Sequence, residues 1–344
     1  MAGPVFELMD PETGRVRRER GALDTVHTPH PPEDGRVWVG LRTFPVRRRE
    51  DPFWADVPEA LWWVPDGSTP GSGPPSSSAS FHGEPGEHPD LSTWKGWVRR
   101  TLDHLRPGIL EKVVLARYRQ QPGSAPTFQE LLKSPSWGIR FRVVPLPGLV
   151  WFGITPETFL YWRQGRLVMD ALAGTAPEPL APIPPVLKEE HRAVVDTLTG
   201  TLRHLGFIPR VSPTQWKPVG SMVHLYTRVE ADLPRAQIPR VVDALFPTPA
   251  LAGAPREGAL QWIETVEDFD RGGYGGLVGW YAPDEVFLVV AIRCGVARHG
   301  WVRWYAGAGI VPGMDPDELW EETAWKLRVM DTLLGRSRTS GPPS

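Results

Sequence analysis

Lys112 stands in the run Glu111-Lys-Val-Val-Leu-Ala-Arg117 and is one of only six lysines in a chain with 32 arginines. Arginine stays protonated at any accessible pH, whereas a lysine removed from water can lose its proton and act as a base. Val113, Val114 and Leu115 read as a buried strand, which would desolvate the amine. The ordinary alternative is a lysine at a strand end with its ammonium in water. Two acids are also candidates for chemistry. Glu190 and Glu322 each fall on a predicted helix, and Lys326 follows Glu322 at i+4 on the same face. On local grounds a solvated acidic face with an i,i+4 pair is the more ordinary reading of these acids. The chain has no HExxH, no paired CxxC and no EF-hand loop, so zinc and structural calcium lack support. Two isolated glutamates plus substrate oxygens suit Mg²⁺, which keeps waters and needs few protein ligands.

Glycines cluster at Gly307-Ala-Gly309-Ile-Val-Pro-Gly313, directly after a predicted strand. The spacing is one residue too long for GxGxxG, and Pro312 interrupts the turn into a helix, so nicotinamide binding is not supported. Such glycines instead let backbone N–H groups approach an anion closely.

The elements that must position these groups follow from the patterning. Residues 1–66 hold short β-like runs at 37–41 and 61–64, and read as a β-rich N-terminal part of the same fold. Residues 67–90, rich in Gly, Ser and Pro, read as a flexible connection. The main body, 91–334, opens with an amphipathic helix over 91–105 and continues with strands over 138–145, 149–154 and 166–172. Helices are predicted at 189–205, 238–245, 255–268 and 316–334, and further strands at 223–233, 274–281, 286–293 and 301–306. Asp315 as N-cap, Pro316 at N1 and Glu318 mark the last helix start. Residues 335–344 read as a disordered tail. Adjacent strands with helices in blocks predict an α+β fold of two large, mostly antiparallel sheets packed face to face, with the helices outside.

Composition narrows the partners. With 41% hydrophobic and 23% charged residues and a net charge of −2, the chain is an ordinary globular one with no sign of a nucleic-acid or membrane partner. The lone Cys294 rules out an intramolecular disulfide framework and suits a reducing cytoplasm. Glu7 and Asp10 leave the N-terminus without the apolar core of a signal peptide, and the apolar run 286–292 is too short to span a bilayer.

Ten short motifs occur in order: Lys112-Val-Val-Leu-Ala-Arg117, Thr155-Pro-Glu157, Ala171-Leu-Ala-Gly-Thr175, Glu190-His191 and His224-Leu-Tyr-Thr227, then Phe246-Pro-Thr-Pro-Ala250, Arg271-Gly-Gly-Tyr274, Val290-Ala-Ile-Arg293, Tyr305-Ala-Gly-Ala-Gly-Ile-Val311 and Glu322-Thr-Ala-Trp-Lys326. Together they resemble the chorismate-binding enzymes, most closely the isochorismate synthases, over roughly residues 91–334. The resemblance implies that fold and a specific division of labour. Lys112 would take a proton from water attacking C2 of chorismate, and Glu157 would protonate the departing C4 hydroxyl. Mg²⁺ on Glu190 and Glu322 would bind the ring carboxylate. Arg293 and Tyr274, with the Gly307 N–H, would clamp the enolpyruvyl carboxylate. Thr175, His224, Ala250 and Tyr305 would line the substrate, and Lys326 would complement its charge.

Two positions set the branch that the resemblance points to. Water must be deprotonated to attack, whereas ammonia is already a nucleophile, so Lys112 fits the water-using members. Ala173 cannot form the lysine adduct found in many aminodeoxychorismate synthases. Neither a glutamine amidotransferase subunit nor an oligomer is expected. A salicylate synthase-type lyase and an amine-transferring anthranilate or aminodeoxychorismate synthase remain the alternatives. Two departures stand out: Leu187 and Leu319 occupy positions where the family carries a further acid one turn before each metal-binding glutamate, with Glu189 and Glu318 as the nearest replacements.

Overall fold

The computed structural model describes residues 4–10, 14–22, 24–46, 51, 53–54, 56–66, 83–134, 137–220 and 222–333. The connection expected over 67–90 lies outside these residues up to 82, as does the whole tail expected over 335–344.

The chain begins with β1 (Val5–Asp10), β2 (Arg15–Arg20), β3 (Asp24–Val26), β4 (Trp38–Arg42), β5 (Ala60–Val64) and β6 (Gly86–His88). Helix α1 (Leu91–His104) leads to β7 (Lys112–Pro122), α2 (Phe128–Leu132), β8 (Ile139–Val144) and β9 (Val150–Thr155). Next come β10 (Thr158–Arg163), β11 (Arg166–Ala176), α3 (Pro185–His204), β12 (Arg210–Val211), β13 (Gln215–Val219) and β14 (Met222–Asp232). The rest comprises α4 (Ile238–Leu245), β15 (Gly253–Ala254), α5 (Arg256–Val266), β16 (Leu277–Tyr281), β17 (Glu285–Val290), β18 (Cys294–Arg298), β19 (Trp301–Ile310) and α6 (Pro316–Leu333).

Two antiparallel sheets result, as the α+β reading expected. One runs β15-β7-β19-β18-β9-β8-β1-β2 with β6 also on β7; the other runs β12-β14-β11-β10-β17-β16-β4-β5-β3 with β13 also on β14. Side chains from both meet in one core: Phe6 of β1 lies edge-on to Trp63 of β5, ring centroids 6.4 Å apart. The N-terminal strands are built into both sheets, β1 beside β8 and β4 beside β16. None of the helices among the described residues is long and apolar enough to cross a membrane.

Several expectations need correction. The supposed flexible connection is ordered at its far end, where Gly86–His88 pairs with Gln120, Arg119 and Tyr118 and Glu87 binds Arg117 and Arg119. The predicted strand over 274–281 starts only at Leu277, and that over 286–293 stops at Val290. Tyr274 therefore sits in a turn, and Arg293 sits on a link with φ +49°, a left-handed conformation uncommon outside glycine. The glycines at 307 and 309, read as part of a turn, lie inside β19.

Two sheet-to-sheet links carry chemistry. Pro156 and Glu157 join β9 of one sheet to β10 of the other, and residues 291–293 join β17 back to β18. The links are laced together: Val290 donates its N–H to Glu157 O at 3.1 Å, and Ile154 donates to Arg293 O at 3.1 Å. A carboxyl and a guanidinium are thereby brought to neighbouring crossovers from positions far apart in sequence.

Candidate active site

The site grows from the pairing of β7 with β19. Val114 lies opposite Gly309, and Ala116 opposite Gly307. Val114 and Ala116 direct their polar groups away from β19. Val114 N–H donates to Ala252 O at 2.8 Å, Arg271 donates to Val114 O at 2.6 Å, and Ala116 N–H donates to Glu267 Oε1 at 2.7 Å. In an antiparallel ladder this makes Gly307 and Gly309 non-hydrogen-bonded partners, the closely spaced kind. A Cβ at 309 would lie 2.4 Å from Glu190 Oε1 and 2.9 Å from Lys112 Cε; one at 307 would lie 2.6 Å from the Tyr274 hydroxyl. The glycines thus make room for three functional side chains against the face of the sheet.

Lys112 opens β7 and is 1% exposed. Its Nζ lies 3.2 Å from Glu190 Oε1, Glu190 being presented by the second turn of α3. On α6 the expected i,i+4 pair forms, with Lys326 Nζ 2.5 Å from Glu322 Oε1 and also donating to Gly307 O at 2.7 Å. Burial lowers the pKa of Lys326, and Glu322 partly opposes this. Both carboxylates assigned to a metal therefore face lysine side chains here. Hard oxygens from two helices fit an ion such as Mg²⁺ that retains waters. Among the described residues no third His, Cys, Asp or Glu joins them, so further oxygens would have to come from substrate or water.

Across the cavity, Glu157 is buried. Desolvation and the nearby Asp170 push its carboxyl up to about 8, against the pull of Lys112 and Lys217, so the group is protonated at neutral pH. Arg293 donates from Nη2 to His224 Nε2 at 3.1 Å, which leaves Nδ1 of the ring to donate to Thr175 Oγ1 at 3.0 Å. His224 is neutral in this arrangement, because burial and then Arg293 hold its pKa well below the usual value. Burial also lowers Arg293, to about 10. Its Nε finds no hydrogen-bond partner among the described residues, although it is buried. A guanidinium so placed is a ready partner for an anion.

One cavity collects these groups. Glu157, Thr175, Glu190, His224, Ala250, Tyr274, Arg293, Tyr305, Gly307 and Lys326 all border it, whereas Lys112 and Glu322 stand directly behind Glu190 and Lys326. Tyr274 and Tyr305 stack at 5.5 Å and 18°, and Trp54 fixes the Tyr305 hydroxyl at 3.0 Å. Ala173, the position read as unable to form a lysine adduct, also borders it, and Leu172, Gly174 and Ile292 line the wall without having been assigned a role from sequence. The sequence reading also missed the buried Arg271–Glu267 pair, which satisfies β7 beyond the end of β15. Its i,i+4 spacing was a visible signal, but the pair spans a helix end and so reads as loop.

The two leucines at expected acidic positions behave differently from one another. Leu319 is 3% exposed and packs in the hydrophobic core, while Leu187 is partly buried. Glu189 and Glu318 are both exposed, so neither replaces the missing acid.

Residues 69–183 and 186–335 match the family model described as chorismate binding enzyme. Isochorismate synthase DhbC of Bacillus subtilis is 29% identical over 277 residues, covering 72% of this chain and 69% of that protein. Isochorismate synthase MenF of Haemophilus influenzae is 29% identical over 264 residues, covering 72% of this chain and 61% of its own length. The solved structure of MenF, the menaquinone-specific isochorismate synthase from Escherichia coli, superposes with a TM-score of 0.78 at 22% identity, covering 96% of this chain and 88% of the other.

The close approach at residue 309 yields a direct test. Gly309→Ala is expected to leave the melting temperature within a few degrees, because the clashing atoms are side-chain ends, yet to displace Lys112 and Glu190. A shift of that size at reacting groups costs about 100-fold in turnover. Unchanged turnover in a folded variant would refute this account of the glycines.

Proposed function

Because the chain belongs to the chorismate-binding enzyme family, we propose that it is an isochorismate synthase, an isomerase that converts chorismate to isochorismate. The observation that carries this reading is one cavity bordered by a protonated carboxylic acid and a buried guanidinium, with the buried Lys112 behind its wall against Glu190. Attack of water at C2 of the ring needs a base, and loss of the C4 hydroxyl needs an acid. Lys112 takes the proton of the attacking water; Glu157 gives its proton to the C4 oxygen, which leaves as water. The electron pairs of the ring shift between these two positions, so no oxidant or reductant is required.

Arg293 takes one substrate carboxylate through its unused Nε edge, with Tyr274 alongside. Neutral His224 keeps that guanidinium oriented without repelling it. Glu190 and Glu322 hold Mg²⁺, which when bound offsets the charge of the ring carboxylate. Ala173 and Ala250 border the cavity without offering a nucleophile or hydroxyl, which supports release of isochorismate over adduct formation or lyase chemistry. We further propose a cytoplasmic monomer that works without an amidotransferase subunit, its isochorismate feeding menaquinone, a siderophore or salicylate.

Incubation with chorismate and Mg²⁺, followed by NMR of the early products, is expected to give isochorismate with little salicylate or pyruvate and no amine when ammonium is supplied. Salicylate with pyruvate as main products would place the chain in the lyase branch. Lys112→Ala or Glu157→Gln should lower turnover by roughly 100-fold or more, the scale of lost acid–base catalysis. Glu157 must carry its proton to act, so kcat/KM should fall as pH rises through about 8. Near-native rates in either variant would remove the mechanism.

Metal binding gives an independent check. With both glutamates engaged by lysines and no third acid among the described residues, calorimetry should find little Mg²⁺ bound until substrate is added. Tight stoichiometric binding to the free protein would contradict this.

A further inference from the structure

Glu157 is gripped from behind by two charged residues of opposite sign. On the N-terminal side, Lys217 of β13 donates to Pro156 O at 3.3 Å. On the C-terminal side, Thr158 N–H donates to Asp170 Oδ2 of β11 at 3.0 Å. Asp170 is itself fixed: the Tyr226 hydroxyl donates to its Oδ1 at 3.0 Å, and Arg228 Nε approaches that hydroxyl at 3.4 Å. Burial and the neighbouring Asp170 raise Tyr226 to about 12, so it keeps the proton it donates. Lys217 and Asp170 both line a second cavity that shares Thr155 and Pro156 with the back of the Glu157 link. Lys217 is also one of the six lysines in this arginine-rich chain, and with Lys112 and Lys326 it makes three of them gathered around one region.

We propose that Asp170 and Lys217 are positioning residues that hold the backbone on either side of Glu157 and set, by opposing charge, the protonation state in which it meets substrate. This rests on the reading of Glu157 as the proton donor. A carboxylate near a second carboxyl favours the protonated form, and an ammonium near it favours the ionised form. The charged groups around Glu157 are Lys112 from β7, Asp170 from β11 and Lys217 from β13, while Glu190 of α3, Lys326 of α6 and Arg293 border the same cavity. Arg228 of β14 acts only through Tyr226 and Asp170. With Lys112 committed to its own role, Asp170 and Lys217 are the pair left to balance the acid.

The test is a pH titration of Glu157 by difference infrared spectroscopy of its carboxyl stretch, with Glu157→Gln as the blank. Asp170→Asn should move the midpoint down, and Lys217→Gln should move it up, each by about one pH unit. Either variant alone decides the sign if the other fails to fold. Midpoints that stay at the wild-type value, or that move the same way in both variants, overturn the proposal. The titration needs no turnover, so it stands even if chorismate proves not to be the substrate. Backbone holding is read separately in kcat at pH 6. Asp170→Asn keeps an oxygen acceptor for Thr158 and should retain kcat there, whereas Asp170→Ala should lose several-fold. Equal rates for the two would overturn the backbone-holding role.

Discussion

Two missing side chains, at Gly307 and Gly309 on one face of β19, are the constraint on which the site depends. Strand side chains alternate in direction, so Tyr305, Gly307 and Gly309 point the same way, toward the cavity they all border. Any Cβ at 307 or 309 would occupy space that Tyr274, Glu190 and Lys112 fill. Once those groups are pressed against a sheet and taken out of water, isolated charge becomes expensive and each must find a partner. The Lys112–Glu190 and Lys326–Glu322 pairs follow from that requirement. So does the buried Arg271–Glu267 pair, which closes the polar groups of β7 where no strand continues beside it.

A second constraint is topological. Glu157 and Arg293 sit on crossovers, where the chain passes from one sheet to the other and regular pairing lapses. Residues there can point into the gap at the end of the sandwich, and hydrogen bonds between the two links keep them in register. The Glu157 carboxyl therefore comes from a link, the Lys112 side chain from a strand and the Glu190 and Glu322 carboxylates from two helices. Rigid elements surround each group, which is what acid–base chemistry at a fixed separation requires.

Much of this was legible in the residues. Lys112 stood out because a lysine is rare in a chain that otherwise uses arginine, and its burial followed from the apolar run after it. The Glu322–Lys326 pair followed from helical spacing, and the start of α6 from Asp315, whose carboxylate accepts the N–H of Asp317 and Glu318. Other features lacked a local signal. β2 reads Arg15-Val-Arg-Arg-Glu-Arg20, too polar for a strand by pattern; its backbone pairs with β1, and Arg15 reaches across to Glu285 and the Tyr161 ring. Gly307 and Gly309 imitate a turn because glycine is usually conformational punctuation; here it provides room inside a strand. Asp170 and Lys217 are 47 positions apart by number and line one cavity because β11 and β13 both pair with β14. Leu319 could not be assigned from sequence, since only packing shows that it faces the core.

The central claim is that a buried lysine and a protonated glutamate exchange one ring hydroxyl for another through external water. Conversion of chorismate in heavy-oxygen water tests it most directly, with early product analysed by mass spectrometry and NMR. The account predicts isochorismate carrying one heavy oxygen, located on C2, with the original C4 oxygen lost to solvent. Isochorismate formed without the label would mean that the oxygen travels within the molecule, and would contradict the assignment of Lys112 as the base that activates water.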